Sequence, residues 1–143
     1  MATMDLPLHP MLVHFPIALF ISALGLEILA RILQKDTLHK AAFYLFILAT
    51  VATPFVVLTG LEEADEFHLV KHPVLNLHRN FAFLTMWTSF LGLLSLWFVQ
   101  KRLAYFFRNA FLLFLFIIVG FTILTAYNGG RLVYEYGIGV DKE

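Results

Sequence analysis

The chain has 143 residues, of which 60% are hydrophobic and 14% charged, with ten basic and ten acidic side chains and no net charge. A soluble domain of this length must clothe a large surface in polar groups, and so few charges do not suffice. Composition and charge therefore exclude a soluble globular domain, a disordered chain and a nucleic-acid-binding surface and leave an integral membrane protein; four apolar runs of helical membrane-span length then make it all-α.

Cysteine is absent, which excludes disulfides, iron–sulfur clusters, Cys-based metal sites and covalent haem attachment through Cys-x-x-Cys-His. Six histidines beside so small a charge complement are the feature to explain.

The first ten residues hold Asp5 but no Lys or Arg, unlike the basic start of a cleaved signal peptide, so this segment reads as retained. A first span is predicted over 11–33, opened by His9 and His14 and interrupted by Glu27, which lies one turn before Arg31 and pairs with it. A short polar turn follows, in which His39 is expected on a solvated surface. The second span is predicted over 41–61, the third over 78–99 and the fourth over 107–128, each an apolar run long enough to cross a bilayer. Pro16 and Pro54 remove backbone donors inside spans and are expected to kink them. The many phenylalanines of the third and fourth spans suit lipid or partner contact.

Between the second and third spans lies an acidic loop, 62–77. If it is helical, Asp65, His68 and His72 share one face, a spacing that suits a divalent metal such as zinc or copper; the plainer reading is a solvated amphipathic segment. Asn128-Gly129-Gly130 is expected to end the fourth helix. The tail 129–143, with Tyr134 and Tyr136 as interface anchors, is then free to fold over the mouth of the bundle as a lid. Four spans form one membrane domain of 143 residues with both termini on one side. Arg31, Lys35, Lys40, Lys101, Arg102 and Arg108 occupy the 1–2 and 3–4 connections, so the positive-inside rule puts those loops in the cytoplasm and both termini outside. Five of the six histidines then share the outer side.

His9-Pro10-Met11-Leu12-Val13-His14 before the first span is echoed by His72-Pro73-Val74-Leu75-Asn76-Leu77-His78 before the third. Small or hydroxyl residues follow on each helix: Ala18, Ser22 and Gly25, then Ala82, Thr85, Ser89 and Gly92. Close helix packing accounts for such stripes by itself. The pattern also predicts a four-helix bundle of two pseudo-symmetric hairpins related by an axis along the membrane normal. His14 and His78 would then face each other at similar depth. Two neutral imidazoles on facing helices suit axial ligation of a non-covalent, b-type haem, with Arg79 or Arg131 meeting its propionates. With His9 and His72 added, a second site or a four-His metal site holding zinc, copper or iron becomes an alternative. Glu62 or Asp65 would accept the protons of a quinol. No G-x-S-x-G, P-loop, G-x-G-x-x-G or H-E-x-x-H motif is present, which speaks against an autonomous hydrolase or nucleotide-dependent enzyme.

The segment His9-Pro10-Met11-Leu12-Val13-His14-Phe15-Pro16-Ile17-Ala18-Leu19 resembles the opening of a bacterial family catalogued as domain of unknown function 2231. The tail Gly129-Gly130-Arg131-Leu132-Val133-Tyr134-Glu135-Tyr136-Gly137-Ile138-Gly139-Val140 resembles that family's ending. The resemblance implies a small four-helix domain of the bacterial cytoplasmic (inner) membrane with no assigned reaction. In larger proteins it resembles a membrane module placed beside cytochrome c-type haem domains, which favours a redox role by association. It implies functional positions at His9, His14 and His78, with Gly129, Gly130 and Tyr134 in the terminal motif, where the family's familiar His is Tyr136 here. The expectation is thus a redox subunit binding haem b through His14 and His78 and exchanging electrons with a quinol or a periplasmic cytochrome. The alternative is a cofactor-free accessory subunit, packed in the lipid bilayer against a larger membrane complex. Either is an electron-transfer or accessory subunit rather than a stand-alone enzyme.

Overall fold

A computed structural model describes residues 8–66, 72–99 and 104–138. Four helices run up and down: α1 over Leu8–Ile32, α2 over Asp36–Glu66, α3 over Pro73–Val99 and α4 over Ala104–Tyr134. All four are long and apolar enough to cross a membrane. Lengths of 25 to 31 residues correspond to about 37–46 Å at about 1.5 Å per residue, more than the ~30 Å hydrocarbon core. The surplus explains why the helices outrun the apolar runs. α2 begins at Asp36 and continues to Glu66, so part of the predicted acidic loop is helix. α3 begins at Pro73, because proline lacks only a donor that the first turn would leave unpaired anyway.

α4 runs straight through Asn128-Gly129-Gly130, contrary to the expected stop there. Its true end is Gly137 (φ 63°), with Gly137 N–H donating to Val133 O at 3.0 Å and Ile138 N–H to Leu132 O at 2.9 Å. This is an αL cap, in which the left-handed residue donates to the carbonyl four residues back, with a second bond from Ile138. Pro16 and Pro54 lie inside continuous helices.

α1 packs chiefly on α2 and α3 on α4; the two hairpins meet along α1–α4 and α2–α3. In the lower half, towards the α1–α2 and α3–α4 connections, the core is aromatic: Phe20, Phe46, Phe107 and Phe111 with Leu96, Leu115 and Ile118. Phe46 and Phe111 meet at 5.4 Å and 74°, Phe43 and Phe111 at 5.7 Å and 76°, the edge-to-face geometry that aromatic quadrupoles favour. Phe107 and Phe111 of the fourth span, expected at a lipid or partner face, are therefore interior. Ala23, Ala42 and Ala49 let the backbones approach. Buried Thr50, Thr53, Thr122 and Ser89 return their hydroxyls to carbonyls of their own helices at 2.7–2.8 Å, which satisfies them without water.

Candidate functional site

Above the aromatic core the helices part around a cavity of about 490 Å³ at the end where α1 and α3 begin. Its walls are mostly apolar, from Val13, Ile17, Val56, Val57, Leu75 and Ala82 to Leu132, and its floor is Phe20 with Thr53, Thr85 and Thr122. Two histidines face each other in it. His9 and His78 have ring centroids 6.1 Å apart, with planes at 87°.

Each ring is held by a backbone carbonyl: His9 Nδ1 lies 2.9 Å from Val56 O, and His78 Nδ1 lies 2.8 Å from Thr125 O. A carbonyl only accepts, so both Nδ1 atoms carry the proton and both Nε2 atoms of the neutral rings keep a free lone pair. Neither Nε2 has a hydrogen-bond partner among the described residues. Such an Nδ1–H···O=C bond is what fixes tautomer and ring direction in metal-ligating histidines.

Each ring also lies against a glycine. A Cβ on Gly60 would stand 2.7 Å from His9 Cε1 and 2.9 Å from Nδ1, and one on Gly129 would stand 3.2 Å from the same atoms of His78. Only glycine lets α2 and α4 receive the imidazoles this closely. Glu63 completes the His9 side by accepting the His9 backbone N–H at 2.9 Å, and its charge suits the α1 N-terminus.

These contacts reveal the repeat. His78 follows His9 by 69 residues; Thr125 follows Val56, and Gly129 follows Gly60, by the same 69. The interior obeys the same offset: Phe20 and Ser89, Ala23 and Gly92, Phe46 and Leu115, Ala49 and Ile118, and Thr53 and Thr122 are all buried pairs. The bundle is thus two equivalent hairpins, but the register expected from the His-Pro echo was about five residues off. His9, not His14, is the counterpart of His78.

His14 lies on the exposed side of α1, its Nδ1 2.8 Å from Pro10 O one turn earlier, although it reaches the cavity rim. The expected stripe on α1 likewise points outward, with Ala18, Ser22 and Gly25 exposed, whereas Thr85, Ser89 and Gly92 on α3 are buried. Arg79 lines the cavity, with its Nη2 on Asn76 Oδ1 at 3.0 Å. Arg131 does not; it pairs with Glu135 at 3.0 Å. Asn128 is buried and donates to Leu124 O at 2.8 Å. Gly129, Gly130 and Ile138 line the cavity and Tyr134 lies exposed at its rim; the rest of the expected lid, 139–143, lies outside the described residues.

His72 stands apart, its ring 4.5 Å from that of Tyr136. His68 lies outside the described residues, and Glu62 and Asp65 are exposed. No group of three or more metal-binding side chains forms among the described residues, so the four-His arrangement is not assembled. Gly60 ends a Leu58-Thr59-Gly60 string that resembles Leu124-Thr125-Ala126, but its true counterpart, at the 69-residue offset that also relates the histidines, is Gly129; Glu63 has no counterpart in the repeat, where Leu132 stands.

The opposite end holds an ionic network. Glu27, 0% exposed, receives Arg31 Nε at 3.1 Å and His39 Nδ1 at 2.6 Å. Arg31 continues to Asn109 Oδ1 at 2.9 Å and to the carbonyl of Arg108 on α4. The expected Glu27–Arg31 pair is present. His39, expected on a solvated surface, instead lies between Phe107 and Phe111, because a buried carboxylate needs donors. This network ties α1, α2 and α4 together, away from the cavity.

No curated protein and no solved structure matches the chain. One family model does, described as "Predicted membrane protein (DUF2231)", over residues 5–142. With four membrane-length apolar helices and a match along nearly its whole length, the chain is a four-helix membrane protein that belongs to the DUF2231 family.

Proposed function

We propose that the cavity is a cofactor site in which His9 and His78 hold a b-type haem, and that the protein is an electron-transfer subunit of the membrane. The observation that carries this reading is the pair of carbonyl-oriented imidazoles, 6.1 Å apart, whose free Nε2 lone pairs belong to one apolar cavity. If a haem were bound, His9 and His78 would be the residues to hold its iron, and their spacing of 6.1 Å would admit one ion between the rings at metal–nitrogen bonds of about 2 Å. A donor set of two neutral imidazoles and no thiolate suits iron in a porphyrin, and Arg79 at the wall is placed for an acidic substituent. When bound, the haem supplies one-electron chemistry. The chain's own part is to orient Nε2 through Val56 O and Thr125 O, to exclude water with apolar walls and to seat the rings on Gly60 and Gly129.

The basic residues Arg31, Lys35, Lys40 and Arg108 at the lower end, against Glu62, Glu63, Asp65 and Glu135 at the cavity end, support a bacterial inner membrane location with the cavity on the outer side. There a quinol or a periplasmic cytochrome subunit is the natural partner. Full-length protein purified from haem-sufficient cells should show a Soret band that shifts on reduction with dithionite. Well-folded but colourless preparations overturn the haem reading in favour of a cofactor-free accessory subunit, and elemental analysis finding zinc or copper instead overturns it in favour of a metal site.

A further inference from the structure

The 69-residue repeat makes each wall of the cavity the standard for the other. The crevice between α1 and α4 corresponds to that between α3 and α2, yet the two are built differently. On the α2–α3 side the equivalent positions are Phe83 and Leu61. On the α1–α4 side they are His14 and Gly130. A Cβ added to Gly130 meets nothing within 4 Å, so open space lies there. His14, Gly130 and Leu61 line the cavity, whereas Phe83 does not; the difference at the second position is that Leu61 has a side chain where Gly130 has none. The cavity is therefore open sideways on one flank. That flank is bordered by exposed Met11 and Phe15 on α1 and Ile123, Tyr127 and Tyr134 on α4, a largely apolar surface with two tyrosines that suits lipid and its interface.

At this opening stands the His14 ring, with Tyr134 at the outer rim one turn beyond Gly130. His14 Nδ1 donates to Pro10 O, so in the neutral ring Nε2 is an acceptor and selects a hydroxyl donor over a carbonyl. We infer that the α1–α4 crevice is a lateral port by which the cavity takes a quinol from the bilayer, with His14 Nε2 accepting a hydrogen bond from a ring hydroxyl. The port follows from the asymmetry alone. The choice of a quinol among hydroxyl-bearing lipids rests on the haem reading, since a redox site needs a donor that dissolves in the membrane.

The test uses full-length protein in lipid nanodiscs, labelled with ¹³C-histidine and titrated anaerobically with decylubiquinol, decylubiquinone or dioctanoylglycerol. The expected result is saturable binding that moves the His14 ring signal, with the quinol tighter than the quinone. Gly130→Leu weakens quinol binding about tenfold or more by filling the port, and Gly130→Val serves where the leucine variant does not fold. His14→Phe, which copies Phe83, weakens it several-fold, while His14→Gln, whose side-chain carbonyl still accepts, retains it. The port is overturned if these variants bind as wild type does. It is also overturned if the quinone binds as well as the quinol, or if dioctanoylglycerol displaces the quinol on equal terms. Visible spectra of the same samples separate the two claims. Port-sensitive binding without a Soret band overturns the haem reading alone, and a Soret band without saturable quinol binding overturns the port alone.

Discussion

Replacing three glycines one at a time by alanine tests whether the histidine rings sit where the structure places them. In an ordinary helix interior each replacement stabilises by about 1 kcal/mol, because alanine is the better helix former. At Gly130 nothing lies within 4 Å of the new methyl group, so that gain stands alone. At Gly129 the methyl meets the His78 ring at 3.2 Å, and a shift of a few tenths of an ångström absorbs it; gain and strain roughly cancel. At Gly60 it meets the His9 ring at 2.7–3.1 Å over three atoms, so the ring must leave Val56 O. The overpacking costs about 1–3 kcal/mol and the lost hydrogen bond about 1 kcal/mol more, which outweighs the propensity gain. The expected order of stability is Gly130→Ala above wild type, Gly129→Ala near it, and Gly60→Ala about 1–3 kcal/mol below it. Reversible unfolding in mixed micelles reads these differences, and the His9 ring resonances should move only in Gly60→Ala. Equal stabilities for the Gly60 and Gly130 variants, with His9 undisturbed, would refute the seating of the ring.

Glu27→Gln should cost about 1–3 kcal/mol in the same assay, because a neutral amide cannot satisfy both Arg31 and His39 as the carboxylate does; unchanged stability would remove the network from the account. Gln34, which closes α1 at φ 52°, gains about 0.5–1 kcal/mol as glycine, while Gly137→Ala loses about 1 kcal/mol at the end of α4. Thermal unfolding of the two single variants checks that the signs are opposite.

Four apolar runs and the Glu27–Arg31 spacing are visible in the sequence because hydropathy and the helical turn are local properties. The ends of the helices are not, since α2 and α4 carry charged or glycine-containing turns beyond the apolar run, held by tertiary contacts and by the cap at Gly137. The paired histidines were half legible. The His-Pro echo points to facing histidines that include His78, but His9 and His14 flank the same turn, and only the carbonyl 47 residues further along the chain decides between them. Gly60 belongs to a class of residue that has no side chain to signal its use. Its role exists only because α1 places an imidazole against α2. His39 misled for the converse reason: a polar turn reads as solvated unless its partner, Glu27, is known to be buried.

On the proposed reading, His9 and His78 are the two ligands of a haem iron. Electron paramagnetic resonance of the oxidised, full-length protein tests it most directly, with His9→Ala, His78→Ala and His14→Ala compared in one preparation. The account predicts a low-spin signal in wild type and in His14→Ala, and its loss or conversion to high spin in each of the other two. A low-spin signal that survives His9→Ala and vanishes in His14→Ala would contradict it, and so would wild-type protein with no ferric haem signal at all.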